Sequence, residues 1–448
     1  MDNAAYLILA EGEQDVIEDD EDFQRTAISA LVVAHGILEA QRLRAERRSH
    51  NRHYLTRPEL LPNPRLDTPW QQLYNSRCSR AYITTMGFDI EAFDFILDNG
   101  FEAAWNSSFI PRDDRPQTSA PRIHRRSLDA AGALGLVLHF LHSTMQEVSL
   151  MEIFTLIPAT TSRYINFSLE ILLLTLRKVK DAEIRWPKGD EFEELSQIAQ
   201  TRHPLLTGAF GTIDGVNLPV QVSAEQEIEN ATYNGWLHAH FVSCVLAFST
   251  SGASLTRLAT SMANVLFAGN IIACRLNAPG SWHDSRIAQQ IYAKLRDKTP
   301  EGYYLVADSA FPKGHDQIRG RIHAPIKEGT RLPADPIQRA EALAFNRQLL
   351  SLRQAAEWGN GMLQRVFGRL RVPLPIRYTR YRAILLELCF RLFNLRTRRV
   401  GLSQIRTVYM PIWQGDDVTW GSFGDVIFAD QRRNDQVHWF HLVADGDE

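Results

Sequence analysis

The 448-residue chain has only four cysteines, and they lie far apart. They form no C-x-x-C pair and have no histidines at zinc-finger spacing, which argues against a structural zinc site and against a disulfide framework. No apolar run approaches the roughly 18–20 residues that a membrane-spanning helix needs. The acidic start is unlike a secretory or mitochondrial signal, so we expect neither. With 44% hydrophobic and 23% charged residues, the composition is that of a globular protein.

The small net charge of -3 hides an uneven distribution along the chain. Residues 1–24 hold nine acids and no base, and the last residues are acidic again. Residues 313–399 hold eighteen Lys or Arg against six Asp or Glu. Acidic ends around a basic body suit a protein that meets phosphate backbones. A simpler interpretation is that arginine-rich helices present a solvated face.

The first half of the chain is predicted to be helical. One helix is expected over residues 26–48, and another helical region from Phe88 to Trp105. Between residues 127 and 180 the pattern predicts a helix, a short second helix opened by the capping box Ser149-x-x-Glu152, a turn at Pro158 and a third helix. This is typical of a helix-turn-helix, in which Arg163 would face DNA from the start of the third helix. A plain three-helix bundle gives the same pattern.

From about residue 204 the hydrophobic period changes to that of strands alternating with helices, which predicts an α/β fold with a mixed sheet flanked by helices. We expect strands over 211–222, 238–248, 270–276, 302–307 and 323–327, and helices over 190–200, 283–295 and 336–370. Residues 253–269 interrupt two strands that a tight Ser-Gly-Asn turn would otherwise join. We interpret them as an insertion in a hairpin, either genuine or a gene-structure error.

Three carboxylates stand out by position. Asp214 lies inside the first strand, Asp308 ends a later strand, and Glu357 lies within the long helix. A carboxylate among apolar neighbours is costly unless it is paired or binds a metal. Three converging carboxylates would suit Mg²⁺ or Mn²⁺, and two such ions about 4 Å apart could cleave a phosphodiester bond. Each acid taken alone is more simply explained as the partner of an arginine.

A second cluster, Asn277-Ala-Pro-Gly-Ser-Trp-His-Asp-Ser285, combines a turn with the start of a helix. Ser281 is predicted to cap that helix, which would place His283 and Asp284 in its first turn. A capped helix start explains Ser281 and Asp284 fully. His283 is less well explained, and we expect it to face a phosphate or the metals.

The sequence motifs around these residues resemble those of the endonuclease domain of PIF/Harbinger-type transposases of the DDE superfamily. The resemblance rests on motifs that keep their order over roughly residues 205–400: Ile213-Asp-Gly, Tyr233-Asn-Gly-Trp236, His240, Pro279-Gly-Ser-Trp-His-Asp-Ser285, Ala307-Asp-Ser, Phe345-Asn-Arg and Arg353-x-x-x-Glu357. It implies a ribonuclease H-like fold whose triad, Asp214, Asp308 and Glu357, binds two divalent metal ions, Mg²⁺ or Mn²⁺. Asp284 and His283 would be accessory residues.

The resemblance also implies double-stranded DNA as substrate, a Myb-like DNA-binding partner, possible self-association and a nuclear location. We expect DNA contacts from Arg163, Arg347, Arg353, Arg365, Arg369 and Arg371, with further arginines continuing a basic track towards residue 399. The expected layout is an acidic disordered tail over 1–24, a helical region over 25–125, a helix-turn-helix-like region over 126–203, the endonuclease domain over 204–400 and an acidic tail over 401–448. Two alternatives stay open: a domesticated DNA-binding protein that does not cleave, and an unrelated enzyme whose acids match by chance.

Overall fold

The computed structural model describes residues 26–44, 46, 59–60, 63–111, 120–250, 269–311, 318–326 and 330–400. The chain divides into two compact units, residues 1–62 and residues 63–448. In the first unit the described part contains a helix, α1, over residues 26–44. This confirms the helix predicted at that place. All other elements belong to the second unit.

Three of the predictions fall outside the described residues. They are the acidic tail over 1–24, the acidic tail over 401–448 and, apart from Gly269, the insertion over 253–269. No helix among the described residues is long and apolar enough to span a membrane.

The second unit begins with helices, as the sequence predicts. Three of them start at a capping side chain: Thr68, Asp89 and Asp129 each accept a hydrogen bond from the backbone N–H three residues later. Their bounds are α2 Pro69–Ser76, α3 Ser79–Met86, α4 Ile90–Ile96, α5 Glu102–Ser107, α6 Ala130–His142, α7 Glu147–Phe154 and α8 Pro158–Leu176.

The predicted capping box at Ser149 is wrong. Helix α7 starts two residues earlier, after Gln146, so Ser149 lies inside the helix and cannot cap it. A cap needs an extended backbone at its own position, and here Gln146 has that conformation. The third predicted helix is present as α8, with Pro158 in its first turn.

A mixed sheet follows, and its strand order positions the site described below. The strands are β1 Ala209–Pro219, β2 Tyr233–Asn234, β3 Ala239–Ser249, β4 Ile271–Pro279, β5 Tyr304–Ala307 and β6 Ile322–His323. Across the sheet the order is β4-β3-β1-β5-β6, and β2 pairs with the start of β3. Strands β1, β3 and β4 are antiparallel, whereas β5 and β6 run parallel to β1. The predicted mixed sheet is confirmed.

Helices cover both faces of this sheet because its strands alternate their side chains between two cores. Val216 and Leu246 belong to the core that also contains α14 and the early helices. Ile213 and Val245 belong to a second core with α12. The remaining helices are α9 Glu191–Arg202, α10 Gln226–Thr232, α11 Asp284–Ile287, α12 Gln289–Asp297, α13 Pro336–Val366 and α14 Thr379–Arg399. The fold is therefore a mixed α/β architecture with a sheet between helical layers, which confirms the predicted class.

Candidate active site

Two of the predicted acids lie side by side because of the strand register. In the parallel pair of β1 and β5, Ile213 is opposite Ala307. Asp214 directly follows Ile213, and Asp308 directly follows Ala307, so both acids emerge at the same place in the centre of the sheet. The Asp308 carboxylate accepts a hydrogen bond from the backbone N–H of Ser309.

Asp214 is held in a largely buried position by two hydrogen bonds. Its Oδ1 accepts from the backbone N–H of Gly215 at 2.9 Å, and its Oδ2 accepts from the side-chain amide of Asn360 at 3.0 Å. Burial raises the pKa of Asp214 to about 6, and the negative charges of Asp284 and Asp308 act in the same direction. The carboxyl group is therefore poised to change protonation state near neutral pH, or to bind a cation.

Asp284 reaches the same place from the connection after β4. A side chain on Gly215 would collide with it, since an ideal Cβ there would be 2.5 Å from Asp284 Oδ2. The Asp284 carboxylate thus packs directly on the backbone beside Asp214. Burial also raises the pKa of Asp284 above its ordinary value, and the nearby His283 opposes this. This contact explains why the sequence has glycine after Asp214.

The predicted helix cap at Ser281 is wrong. Helix α11 begins at Asp284, and His283 is its capping residue, with its Nδ1 accepting from the Ser285 N–H at 3.4 Å. His283 Nδ1 also lies 3.0 Å from the Ser285 hydroxyl oxygen. The predicted helix over 283–295 is broken after Ile287 and continues as α12. The cap therefore accounts for one ring nitrogen of His283, the residue that sequence reasoning left unexplained.

Helix α13 carries Arg353, Glu357 and Asn360 on one face, because they are spaced four and three residues apart. This face is turned towards Asp214 and Asp308. Arg353 pairs with Glu357 at 2.8 Å and lies 3.9 Å from Asp308. Asn360 donates to Asp214 and also to the Gly215 carbonyl, at 3.3 Å. Sequence reasoning missed Asn360, although its spacing from Arg353 and Glu357 on one helix could have indicated it.

The Arg353 guanidinium lies between two of the predicted triad acids. Among the described residues, no three His, Cys, Asp or Glu side chains lie close enough together to form a metal-binding group. The donors fit a hard cation chemically, because all are carboxylate oxygens. Their spacing does not, because the Arg353 guanidinium contacts both Asp308 and Glu357. For Asp308 and Glu357 the structure thus matches the simpler interpretation of an acid paired with an arginine. Asp214 instead accepts from Gly215 and Asn360.

The arginines expected to contact DNA have different surroundings. Arg347, Arg365 and Arg371 are exposed. Arg163 lies half-buried in α8, at the end of that helix where a helix-turn-helix would contact DNA. Arg369 is half-buried, donating to the carbonyls of Phe140 and Met145.

The expected basic track towards residue 399 is not continuous. Arg382 is buried and donates to the carbonyls of Pro375 and Ile376. Arg396 is also buried and donates to the Gly87 carbonyl. These two arginines hold segments of the chain together, so neither presents a solvated face. Composition alone could not distinguish them from surface arginines.

One comparison with known proteins bears on this site. Residues 213–394 match the family described as DDE superfamily endonuclease. The match covers less than half of the chain, yet it includes Asp214 in β1, Asp308 and Glu357 on α13. It supports an endonuclease domain of the DDE superfamily in this segment. No curated protein and no solved structure gives a significant match.

Proposed function

We propose that this protein is a metal-dependent DNA endonuclease or transposase that cleaves phosphodiester bonds with Asp214, Asp308 and Glu357. The observation that carries the proposal is the meeting of Asp214, Asp284 and Asp308 beside the Arg353–Glu357 pair. These residues lie within the segment that matches DDE superfamily endonucleases. Holding several like charges next to one another is unfavourable for folding, which favours a functional reason for their presence.

The strand arrangement supports a ribonuclease H-like fold for this domain. Counting only the five strands of the main path in chain order, the order across the sheet is 3-2-1-4-5. The first three strands are antiparallel and the last two are parallel to the first. A mixed sheet of this kind agrees with the ribonuclease H-like fold that the resemblance implies, and it puts Asp214, inside the first strand, next to Asp308, which directly follows the fourth strand.

Divalent ions bound by Asp214, Asp308 and Glu357 would activate the attacking oxygen and stabilise the leaving oxygen. For these three acids to share an ion, Glu357 must release Arg353. Asn360 would orient the Asp214 carboxylate, because its amide donates to one carboxylate oxygen while the Gly215 N–H donates to the other. Asp284, fixed against Gly215, would add negative charge beside the same carboxylate.

A DNA-binding protein of the same fold that does not cleave is the alternative function. The observation that favours it is the ion pair of Arg353 with Glu357, which offsets the charge of one triad acid without a metal. Under either function we propose a PIF/Harbinger-type origin, a DNA-contacting helix α8, action in the nucleus, self-association and a Myb-like partner protein.

Cleavage of a supercoiled plasmid carrying the repeats that flank the gene tests the proposal. The full-length protein should nick or linearise this plasmid with Mg²⁺ or Mn²⁺ and leave it intact in EDTA. Duplex binding should be measured in parallel, in EDTA. Binding without cleavage under any metal condition would favour the alternative. A protein that neither binds nor cleaves the DNA would contradict both functions.

A further inference from the structure

A pocket of about 280 Å³ opens in the helical region, formed by chain segments far from the cluster of acids in the sequence. Its walls come from the residues after α5, from residues 120–127 and from the first turns of α8. The polar side of the pocket carries four arginines: Arg122, Arg125, Arg126 and Arg163. No acidic residue lines it among the described residues.

Among the described residues, no Asp or Glu forms an ion pair with three of the four arginines of the pocket, Arg122, Arg125 and Arg163. Arg126 is only 7% exposed, and it donates to the carbonyls of Trp105 and Ser108. Because its hydrogen-bond partners are neutral, a buried positive charge remains next to the pocket, and such a charge favours an anion.

The wall that carries three of the arginines is held in place. Arg65 reaches across from the start of the unit and donates to the carbonyls of Ile123 and Arg126, at 3.1 and 2.7 Å. The hydroxyl of Tyr164 accepts from the backbone N–H of Ser127 at 2.9 Å. The guanidinium of Arg126 also packs over the Trp105 ring. The arginines are therefore presented by a fixed turn, which lowers the entropy cost of binding.

The start of α8 adds to the positive potential. This helix has no side-chain cap and no acid in its first turn. Thr160 and Arg163, three residues apart on one face, both line the pocket. The helix dipole at such an N-terminus favours a phosphate group. Backbone donors contribute little here, because Pro158 has no N–H and the N–H groups of Thr160 and Thr161 donate to the Ile157 carbonyl.

We infer that this pocket binds a backbone phosphate of DNA, as a contact separate from the acids that would cleave it. The inference rests on the proposed function, because DNA enters the argument through the endonuclease match. The cavity is larger than one phosphate group, and its lining also includes the apolar residues Phe109, Ile110 and Pro121. These residues suit the sugar next to a backbone phosphate better than they suit a free inorganic anion.

The test uses full-length protein and duplex DNA in EDTA, so that binding is measured without cleavage. The variants are Arg125→Gln and Arg163→Gln, singly and together, and the matched control is Arg80→Gln, an exposed arginine of α3 outside the pocket. Each pocket variant should weaken binding about five- to tenfold at about 0.1 M salt and lower the slope of log K against log salt by about 0.9. The Arg80 variant should keep the wild-type affinity.

Thermal stabilisation by pyrophosphate provides a second measurement. If pyrophosphate stabilises the wild type but not the double variant, while DNA affinity and salt slope stay unchanged in both, the pocket serves a small phosphate compound and the inference is wrong. Wild-type slopes in every variant, or no DNA binding by the wild type, would also overturn it. The wild type could also fail to cleave DNA while the pocket variants still lower the slope of log K against log salt. That result would leave the inference standing and contradict only the proposed endonuclease.

Discussion

At the scale of single residues, the surroundings of Asp214 oppose its negative charge. It is largely buried between two neighbouring acids, and it has only an amide and a backbone N–H as donors. The folded state therefore favours the protonated form, with the pKa raised from 3.8 to about 6. Asp214 therefore binds a proton more tightly in the folded state than in the unfolded state. Its contribution to the free energy of unfolding is present at low pH and is lost as the pH rises through about 6.

The substitution Asp214→Asn should remove this contribution to the pH dependence, because asparagine does not titrate. In EDTA, the unfolding free energy of the variant relative to wild type should increase by up to about 3 kcal/mol between pH 4 and pH 8. The loss of one hydrogen-bond acceptor costs about 1 kcal/mol at every pH. The test is therefore how the difference between variant and wild type changes with pH, and not its value at one pH. Urea unfolding at several pH values measures it. A difference that stays constant with pH would show that the carboxyl group has an ordinary pKa.

Gly215 is expected to tolerate no side chain. An alanine there would put its Cβ 2.5 Å from Asp284 Oδ2, so the Asp284 carboxylate must move. Gly215→Ala should destabilise the protein by about 1–3 kcal/mol and reduce cleavage. The control is Gly235→Ala, where a built Cβ meets no atom within 4 Å. Equal melting temperatures and activities for the two variants would mean that Asp284 is not fixed against β1.

Sequence reasoning identified the acids but not what surrounds them. Asp214 and Asp308 could be found because an acid inside or directly after an apolar strand is a local signal. The pairing of Arg353 with Asp308 joins segments far apart in the chain, and so does the hydrogen bond from Asn360 to Asp214. No local pattern contains such contacts, because the fold creates them.

At the scale of elements, α13 carries side chains to the acids and also packs on the sheet. Gly359 lies in its buried face, where an added Cβ would be 2.9 Å from the Phe248 ring of β3. Gly361, two residues later, is exposed and has nothing within 4 Å. Close packing of α13 against β3 therefore depends on one of these glycines and not on the other.

The two glycines make a matched pair for mutation. Gly361→Ala should stabilise the protein by about 0.5–1 kcal/mol, because alanine loses less backbone freedom in a helix. Gly359→Ala should destabilise it by about 1–3 kcal/mol, because the added methyl group overpacks Phe248. Thermal unfolding of both variants checks this. Similar melting temperatures would contradict the close packing of α13 on β3.

The hairpin of β3 and β4 provides a further test at this scale. Ser249 and Asn270 are already joined by a backbone hydrogen bond of 2.9 Å at the open end of the two strands. Deleting residues 253–269 should therefore leave the strand pairing intact, with the turn closed through Ser-Gly-Asn. Cooperative unfolding near the wild-type temperature is expected by calorimetry. A variant that melts without cooperativity would show that the deleted residues belong to the core.

The elements themselves were the most predictable part of the fold. Strands β1, β3 and β4 follow from alternating apolar residues, and α13 follows from its long helical period. The start of α7 and the break after Ile287 were missed, because a serine or a histidine can cap a helix or lie within it. Only the backbone conformation of the preceding residue decides between these positions.

At the scale of the whole second unit, the early helices and one face of the sheet share a single hydrophobic core. Trp70 and Phe93 of the helices belong to the same buried cluster as Leu246 of the sheet and Phe390 of α14. Buried arginines reinforce it, since Arg396 of α14 donates to the Gly87 carbonyl. Composition predicted a basic region here, but part of its charge holds the unit together.

The central claim is that Glu357 acts with Asp214 and Asp308 as a metal-dependent nuclease, and one comparison tests it directly. Cleavage of plasmid DNA with Mg²⁺ or Mn²⁺ should be measured for wild type, Glu357→Gln and Glu341→Gln, the last an exposed acid elsewhere on α13. The account predicts cleavage by wild type and by Glu341→Gln, and a loss of at least about a hundredfold in Glu357→Gln with DNA binding retained. Equal cleavage rates for wild type and Glu357→Gln would contradict it.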